Sequence, residues 1–333
     1  MKQPHRSARP LLSVVTAVLR DVAGVLGVAV AALLTLYALA VCTPGGQSLE
    51  NAVVLGSDAA HTDPIWAQTL MATIADDRAL IVGLAVPLIL GWRRGQVMVG
   101  IVVAATVLAA NLTTQVLKLA VFVRPELVAD PGVGGGNSLP SGTVTFLLSV
   151  ALGITVLLPD STAMRRAGHL LTVVAIGGGC ATIALDWHRP ADVLAGTIVA
   201  VAWFAIARSV LDRLRSWPEV ARRDIGTVRG SDARLSAPTR DWRPLTRGLV
   251  QMTVVVGIPL GAVAATPGLA LDPTAHGPLA YVVALVLTAT GSLVVTAGFD
   301  SSAQSQASVA ANGDGTSHSG TRPHPRVPLT LMG

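Results

Sequence analysis

Lys118, Arg124-Pro125, Pro140-Ser141-Gly142 and His188-x3-Asp192 carry the chemistry-bearing side chains of this chain, and each lies at one end of a membrane-length apolar run. Pro125 holds Arg124 in an extended conformation, which ends the helix begun before Lys118 and turns the guanidinium into the loop. Such a pair of cations suits a tetrahedral anion. A proline at a helix start, followed by Ser141 and Gly142 ahead of Phe146-Leu147-Leu148, leaves free N–H groups and the positive end of the helix dipole open to the same anion. Pro190 starts another helix, where residues four apart share a face. Asp192 can then accept a hydrogen bond from one imidazole nitrogen of His188 and leave the other free as a nucleophile toward phosphorus. Taken singly, Lys118 and Arg124 read equally as interfacial anchors whose charges snorkel, Pro-Ser-Gly as a plain helix cap, and His188 as a structural residue. Their convergence at one end of several helices would make them a site.

The elements that must position them are membrane helices. Mean hydropathy is +0.61 with 13% charged residues, outside the range of ordinary soluble domains. Apolar blocks of bilayer-spanning length fall near 21–43, 78–92, 96–117, 141–158, 168–187, 190–211, 248–267 and 277–298. Eight spans are expected, with Ile65–Ile74 as a short interfacial helix. The expected fold is all-α, a polytopic bundle.

Basic residues set the orientation. One side collects Lys2, Arg6, Arg9, Arg20, Arg93, Arg94, Arg165, Arg166, the Arg-rich stretch from Arg208 to Arg247, Arg322 and Arg326. The other receives only Arg78, Lys118, Arg124 and Arg189 of the 24 Lys plus Arg. This predicts both termini inside, at the plasma membrane, with the site facing out. Three of the four outer cations belong to the candidate site. The pI of about 10.0 therefore reflects cytoplasmic arginines beside anionic lipid headgroups, and no nucleic-acid partner is expected.

Residues 1–20 read as a cytoplasmic N-terminus, 21–211 as the core with its motifs at 118–192, and 212–247 as a basic cytoplasmic linker with Trp217 and Trp242 as anchors. Residues 248–298 hold two further spans, and 299–333, rich in Ser, Gly, Ala and Pro, read as a disordered tail. Cys42 and Cys180 read as small buried hydrophobes. Leu39-Ala40-Val41-Cys42 departs from a lipoprotein cleavage box at the residue before the cysteine. The Gly132–Gly136 run lacks the Lys-Ser/Thr ending of a nucleotide-binding loop. No His, Cys and carboxylate cluster has metal-ligand spacing, so neither metal nor other cofactor is expected. Protein partners are not read from these residues.

Over residues 78–211 the chain resembles the type 2 phosphatidic acid phosphatase superfamily, whose motifs K-x6-R-P, P-S-G-H and S-R-x5-H-x3-D have counterparts here in the same order. The resemblance implies a six-helix core that binds a lipid phosphate, here followed by two additional C-terminal helices. It implies that His188 is the nucleophile, Asp192 its orienting partner, and Lys118, Arg124, Ser141 and Gly142 phosphate ligands. The partners it implies are a phosphorylated lipid substrate and membrane lipids.

The departures carry their own chemistry. Five residues separate Lys118 from Arg124 instead of six. Thr143 stands where the family has its general-acid histidine. Ala181 and Thr182 replace Ser-Arg, and Arg189 can supply the lost charge from the other side of His188. A general acid is worth about a hundred- to ten-thousand-fold in rate, and an alkyl monoester that must expel an alkoxide needs it most. A diphosphate releases a phosphate, whose second pKa is about 6, without needing a proton. Activity is therefore expected to favour lipid diphosphates such as a polyprenyl carrier, with His61 or His276 as substitute acids if either folds over the pocket. A second reading stays open, a non-catalytic relative that binds a phosphorylated lipid or supports a membrane complex. A vanadium-dependent haloperoxidase would share the anion site, but the apolar composition argues against it. A transporter also stays open, although no span contains a buried charged pair at mid-membrane depth.

Overall fold

The computed structural model describes residues 8–59, 65–129, 137–159, 161–215, 248, 250–264 and 273–313. His61, the Gly132–Gly136 run, the linker beyond Arg215 with Trp217 and Trp242, and the tail beyond Gly313 lie outside the described residues. Within them the chain is helical: α1 Ala8–Leu36, α2 Pro44–Ala59, α3 Ile65–Ala75, α4 Asp77–Arg93, α5 Val97–Val116, α6 Gly142–Leu157, α7 Thr162–Ala184, α8 Pro190–Arg215, α9 Ile258–Ala264 and α10 Pro273–Gly313. Wider π turns extend α1 over Tyr37–Val41 and α5 over Leu117–Val121, and another, Thr253–Gly257, leads into α9.

Local signals start several of these helices. The side chains of Asp76, Ser141 and Ser161 accept hydrogen bonds from the backbone N–H groups of Arg78, Val144 and Met164, capping α4, α6 and α7. Pro190 occupies the first position of α8, where its missing N–H costs nothing.

Helix covers most of the described residues of the expected spans, and five stretches among the described residues are long and apolar enough to cross a membrane: Val18–Val41, Val97–Val121, Thr162–Ala184, Pro190–Leu214 and His276–Thr296. Gly142–Leu157 and Val250–Val263 are shorter apolar helices. Large apolar side chains such as Ile81, Leu112, Leu170, Val174 and Leu279 are more than half exposed on the outer faces, as lipid-facing positions require. α8 is the central pillar: 67% of its apolar window is buried, against 22% for the first span. α1, α5, α6 and α10 surround it, and the core around Phe204, Ile198 and Leu152 is fully enclosed.

Two expectations need correction, and one further element was not anticipated. Residues 44–59, which carry no span signal, form α2, and it packs against α10. α10 runs on through residues 301–313, where composition reads as a disordered tail. That stretch holds several Ala and Gln and no Pro, so helix propensity carries it to Gly313. Cys42 is exposed, because it falls just beyond the π turn that ends the first span, while Cys180 is partly buried.

α2 and α10 cross through two glycines. A Cβ on Gly56 would run into the backbone carbonyl of Gly277, and one on Gly277 would lie 3.2 Å from the Cα of Gly56. Small residues allow this backbone approach, as in other membrane helix pairs. Gly56→Val is expected to lower stability by about 3 kcal/mol in a detergent melt, the upper range of overpacking costs. Gly27→Ala, with nothing within 4 Å of its new methyl, is expected to be neutral or slightly stabilising. Equal melting of the two variants would contradict this crossing.

Candidate active site

The ends of α5 and α7, the starts of α6 and α8, and the middle of α2 meet at one end of the bundle. The turn after α7 makes the meeting of α7 and α8 compact. Asp186 adopts a left-handed conformation with φ 54°, and the Thr182 carbonyl accepts hydrogen bonds from Trp187 N at 2.9 Å and His188 N at 3.1 Å. Aspartate tolerates that backbone better than most residues. The Asp186 carboxylate accepts a hydrogen bond from the Ser57 hydroxyl of α2, which fixes the turn to a neighbouring helix.

The turn delivers His188, Arg189 and Asp192 together. Asp192 is fully buried; its Oδ2 accepts from Ser138 Oγ at 2.6 Å and from the backbone N of Arg189 at 2.9 Å. The same oxygen lies 3.5 Å from Nδ1 of His188, whose side chain is 10% exposed. That distance is an electrostatic contact longer than a good hydrogen bond, and nucleophile-orienting pairs are often loose before substrate binds. The Asp192 carbonyl accepts from Ser141 N at 2.9 Å, so the starts of α6 and α8 are joined directly. A cis Leu139–Pro140 bond precedes Ser141, whose buried Oγ accepts from Val144 N at 3.3 Å. Gly196 of α8 lies against the same corner, where a Cβ would meet the Ser141 carbonyl at 2.8 Å.

Arg124 has a partner that its sequence position does not announce. Its Nη2 lies 2.8 Å from Oε2 of Glu50, with side chains 9% and 4% exposed. Oε1 of Glu50 accepts from Ala191 N, in the first turn of α8, at 3.3 Å. The neighbours of Glu50 on α2 hold the Arg124 loop. Gln47 Nε2 donates to the Pro125 carbonyl at 2.6 Å, its Oε1 accepts from Leu127 N at 3.2 Å, and Asn51 donates to the Ala129 carbonyl at 3.0 Å. Burial pushes the Glu50 carboxyl above its ordinary range. Arg124 opposes that rise, Asp192 adds to it, and Arg189 opposes it. Removing one member of such a buried pair strands the other charge at a cost of about 3–5 kcal/mol.

The structure thus brings Arg124, Arg189, His188, Asp192 and Ser141 into one network through Glu50 and the start of α8. Arg189 is 2% exposed. Lys118 joins by its backbone: its carbonyl accepts from Asn137 Nδ2 at 3.0 Å, and the same amide donates to the Phe122 carbonyl at 2.8 Å. The shortened Lys118–Arg124 spacing coincides with the π turn, a distortion frequent at functional sites. Gly142 and Thr143 open α6 and are both partly buried, and Gln115 Nε2 lies 3.6 Å from where a Cβ on Gly142 would be. His276 is exposed in the first turn of α10, beside Gly277.

Sequence reasoning passed over Glu50, Gln47, Asn51, Ser138 and Asn137. Gln47, Glu50 and Asn51 are spaced i, i+3, i+4, one polar helix face. That periodicity was a readable signal for the first three. Among the described residues no group of three or more His, Cys, Asp or Glu is placed to hold a metal ion.

Fold and site together define a helical membrane protein with a buried, charge-paired cluster of side chains at one end of its bundle. The family model of the PAP2 superfamily matches residues 99–216, from α5 to the end of α8, and this match supports membership in that superfamily. No curated protein and no solved structure matches. The family and the apolar helices together fit a membrane phosphatase, and the family implies a phosphorylated lipid as substrate in general. α2 with Glu50, and α10, lie outside the matched region.

Proposed function

We propose that the chain is a lipid phosphatase that works through a phosphohistidine at the outer face of the plasma membrane and prefers lipid diphosphates. The observation that carries the reading is the His188–Asp192 pair, in which a buried carboxylate faces Nδ1 and leaves Nε2 as the nucleophilic nitrogen. The Nε2 lone pair forms the N–P bond, and the P–O bond to the lipid moiety breaks with its electrons on the departing oxygen. Asp192 stabilises the positive imidazole that results. Water then attacks phosphorus, the N–P bond returns its electrons to the ring, and phosphate and a proton leave. Lys118, Arg124, Arg189, the Ser141 hydroxyl and the backbone at Gly142 would hold the phosphate oxygens. The outward orientation is supported by the unequal distribution of Lys and Arg between the two sides.

Thr143 stands at the position of the leaving-group acid and cannot donate a proton near neutral pH. Purified protein in detergent is therefore expected to hydrolyse polyprenyl diphosphate faster than phosphatidate. The reverse order would overturn the diphosphate preference. A second reading, a non-catalytic binder of phosphorylated lipids, is favoured by the Arg124–Glu50 pair, which engages a phosphate-binding guanidinium. It requires no turnover on either lipid.

A further inference from the structure

Glu50 has no role in the reaction just described, yet it holds Arg124, which that reaction uses, and a second donor beside it. One of its oxygens takes a guanidinium N–H of Arg124 at 2.8 Å, and the other takes the Ala191 N–H of the first turn of α8 at 3.3 Å. A guanidinium fork and a helix N-terminal amide are the two kinds of donor that bind phosphate oxygens in proteins. The carboxylate therefore spans donors arranged as a phosphate would find them.

Charge accounting leads to the same place. Arg124 and Arg189 contribute two buried positive charges, Glu50 and Asp192 two negative ones, and all four side chains are almost wholly enclosed. The charges of these four side chains already cancel one another. A phosphate entering beside Glu50 would set its negative charge against a buried carboxylate, with only Lys118 outside the balanced set to oppose it, which is unfavourable. A phosphate that takes the place of Glu50 on Arg124 meets a matched cation instead.

We propose that Glu50 is an internal carboxylate competitor that occupies the phosphate's place on Arg124 and the first turn of α8, so that the phosphoryl group enters only by displacing it. The inference rests on the phosphate-site reading and adds how that site is regulated. A binding-competent state populated only in part weakens the observed affinity by that fraction. Occupancy of Arg124 by Glu50 sets the fraction.

The test is titration of the full-length protein in detergent with inorganic phosphate, comparing the native chain, Glu50→Gln, Arg124→Gln and the double variant. Glu50→Gln is expected to bind phosphate at least about tenfold more tightly, as release of a state populated at a tenth or less would give. The gain should vanish when Arg124→Gln is added. Equal or weaker binding by Glu50→Gln, with Arg124→Gln still abolishing binding, overturns the competitor and leaves the phosphate site standing. If Glu50→Gln does not fold, Glu50→Asp withdraws the carboxylate by one methylene and is expected to tighten binding in the same direction; unchanged or weaker binding overturns the proposal equally. Phosphate binding indifferent to Arg124→Gln, or absent from every variant, removes the phosphate site and the competitor together.

Discussion

His188→Ala is expected to bring lipid diphosphate hydrolysis down to the background of the assay. The imidazole is the group proposed to form a covalent bond to phosphorus, and the described hydroxyls beside it are otherwise engaged: Ser138 with Asp192, and the Ser141 oxygen in capping α6. Loss of an enzyme's nucleophile costs up to about a millionfold in rate where the rest of the machinery acts as a unit. The substitution removes a side chain that is 10% exposed at a turn, and the Thr182 carbonyl that closes this turn accepts from the backbone N–H groups of Trp187 and His188, which the substitution keeps. Folding should therefore survive. A melting temperature close to native with activity at background is the expected pair of results; residual hydrolysis above about a hundredth of native would mean that another group attacks.

Thr143→His is expected to produce the largest gain. Thr143 lies one residue into α6, next to Ser141 and Gly142, and is partly buried at the mouth of the helix. An imidazole there would place a proton donor at the position that the motif resemblance matches to the family's general acid. The benefit depends on the leaving group: phosphatidate hydrolysis should rise by about a hundred- to ten-thousand-fold. Polyprenyl diphosphate hydrolysis should change far less, since its phosphate leaving group departs without a proton. Equal stimulation of both substrates would place the missing function elsewhere than in leaving-group protonation.

The spans and the His188-x3-Asp192 pair are legible in the sequence because their signals are local. Hydrophobic length marks the bundle, Ser141 and Ser161 mark helix starts, and a four-residue spacing places a carboxylate beside an imidazole. α2 is hidden for an equally local reason. It opens on Pro44-Gly45-Gly46, carries polar residues on one face, and is too short and too polar to resemble a span. Glu50 acquires its meaning only in three dimensions, 74 positions from Arg124 and 141 from Ala191. A pattern that reads Arg124 as a phosphate ligand has no means of registering a carboxylate that distant. The same limit applies to α10. Its apolar run is plain, whereas its role as a wall of the core, with Ser292 within 3.2 Å of Thr197 on α8, depends on packing.

The measurement that bears most directly on the central proposal is covalent trapping. The native chain, mixed with polyprenyl diphosphate labelled at its terminal phosphate and quenched in alkali, is expected to retain label in a bond that alkali spares and acid breaks, located on His188 and missing from His188→Ala. Hydrolysis that proceeds with no label on the protein, or with label that persists in His188→Ala, would contradict nucleophilic attack by this imidazole.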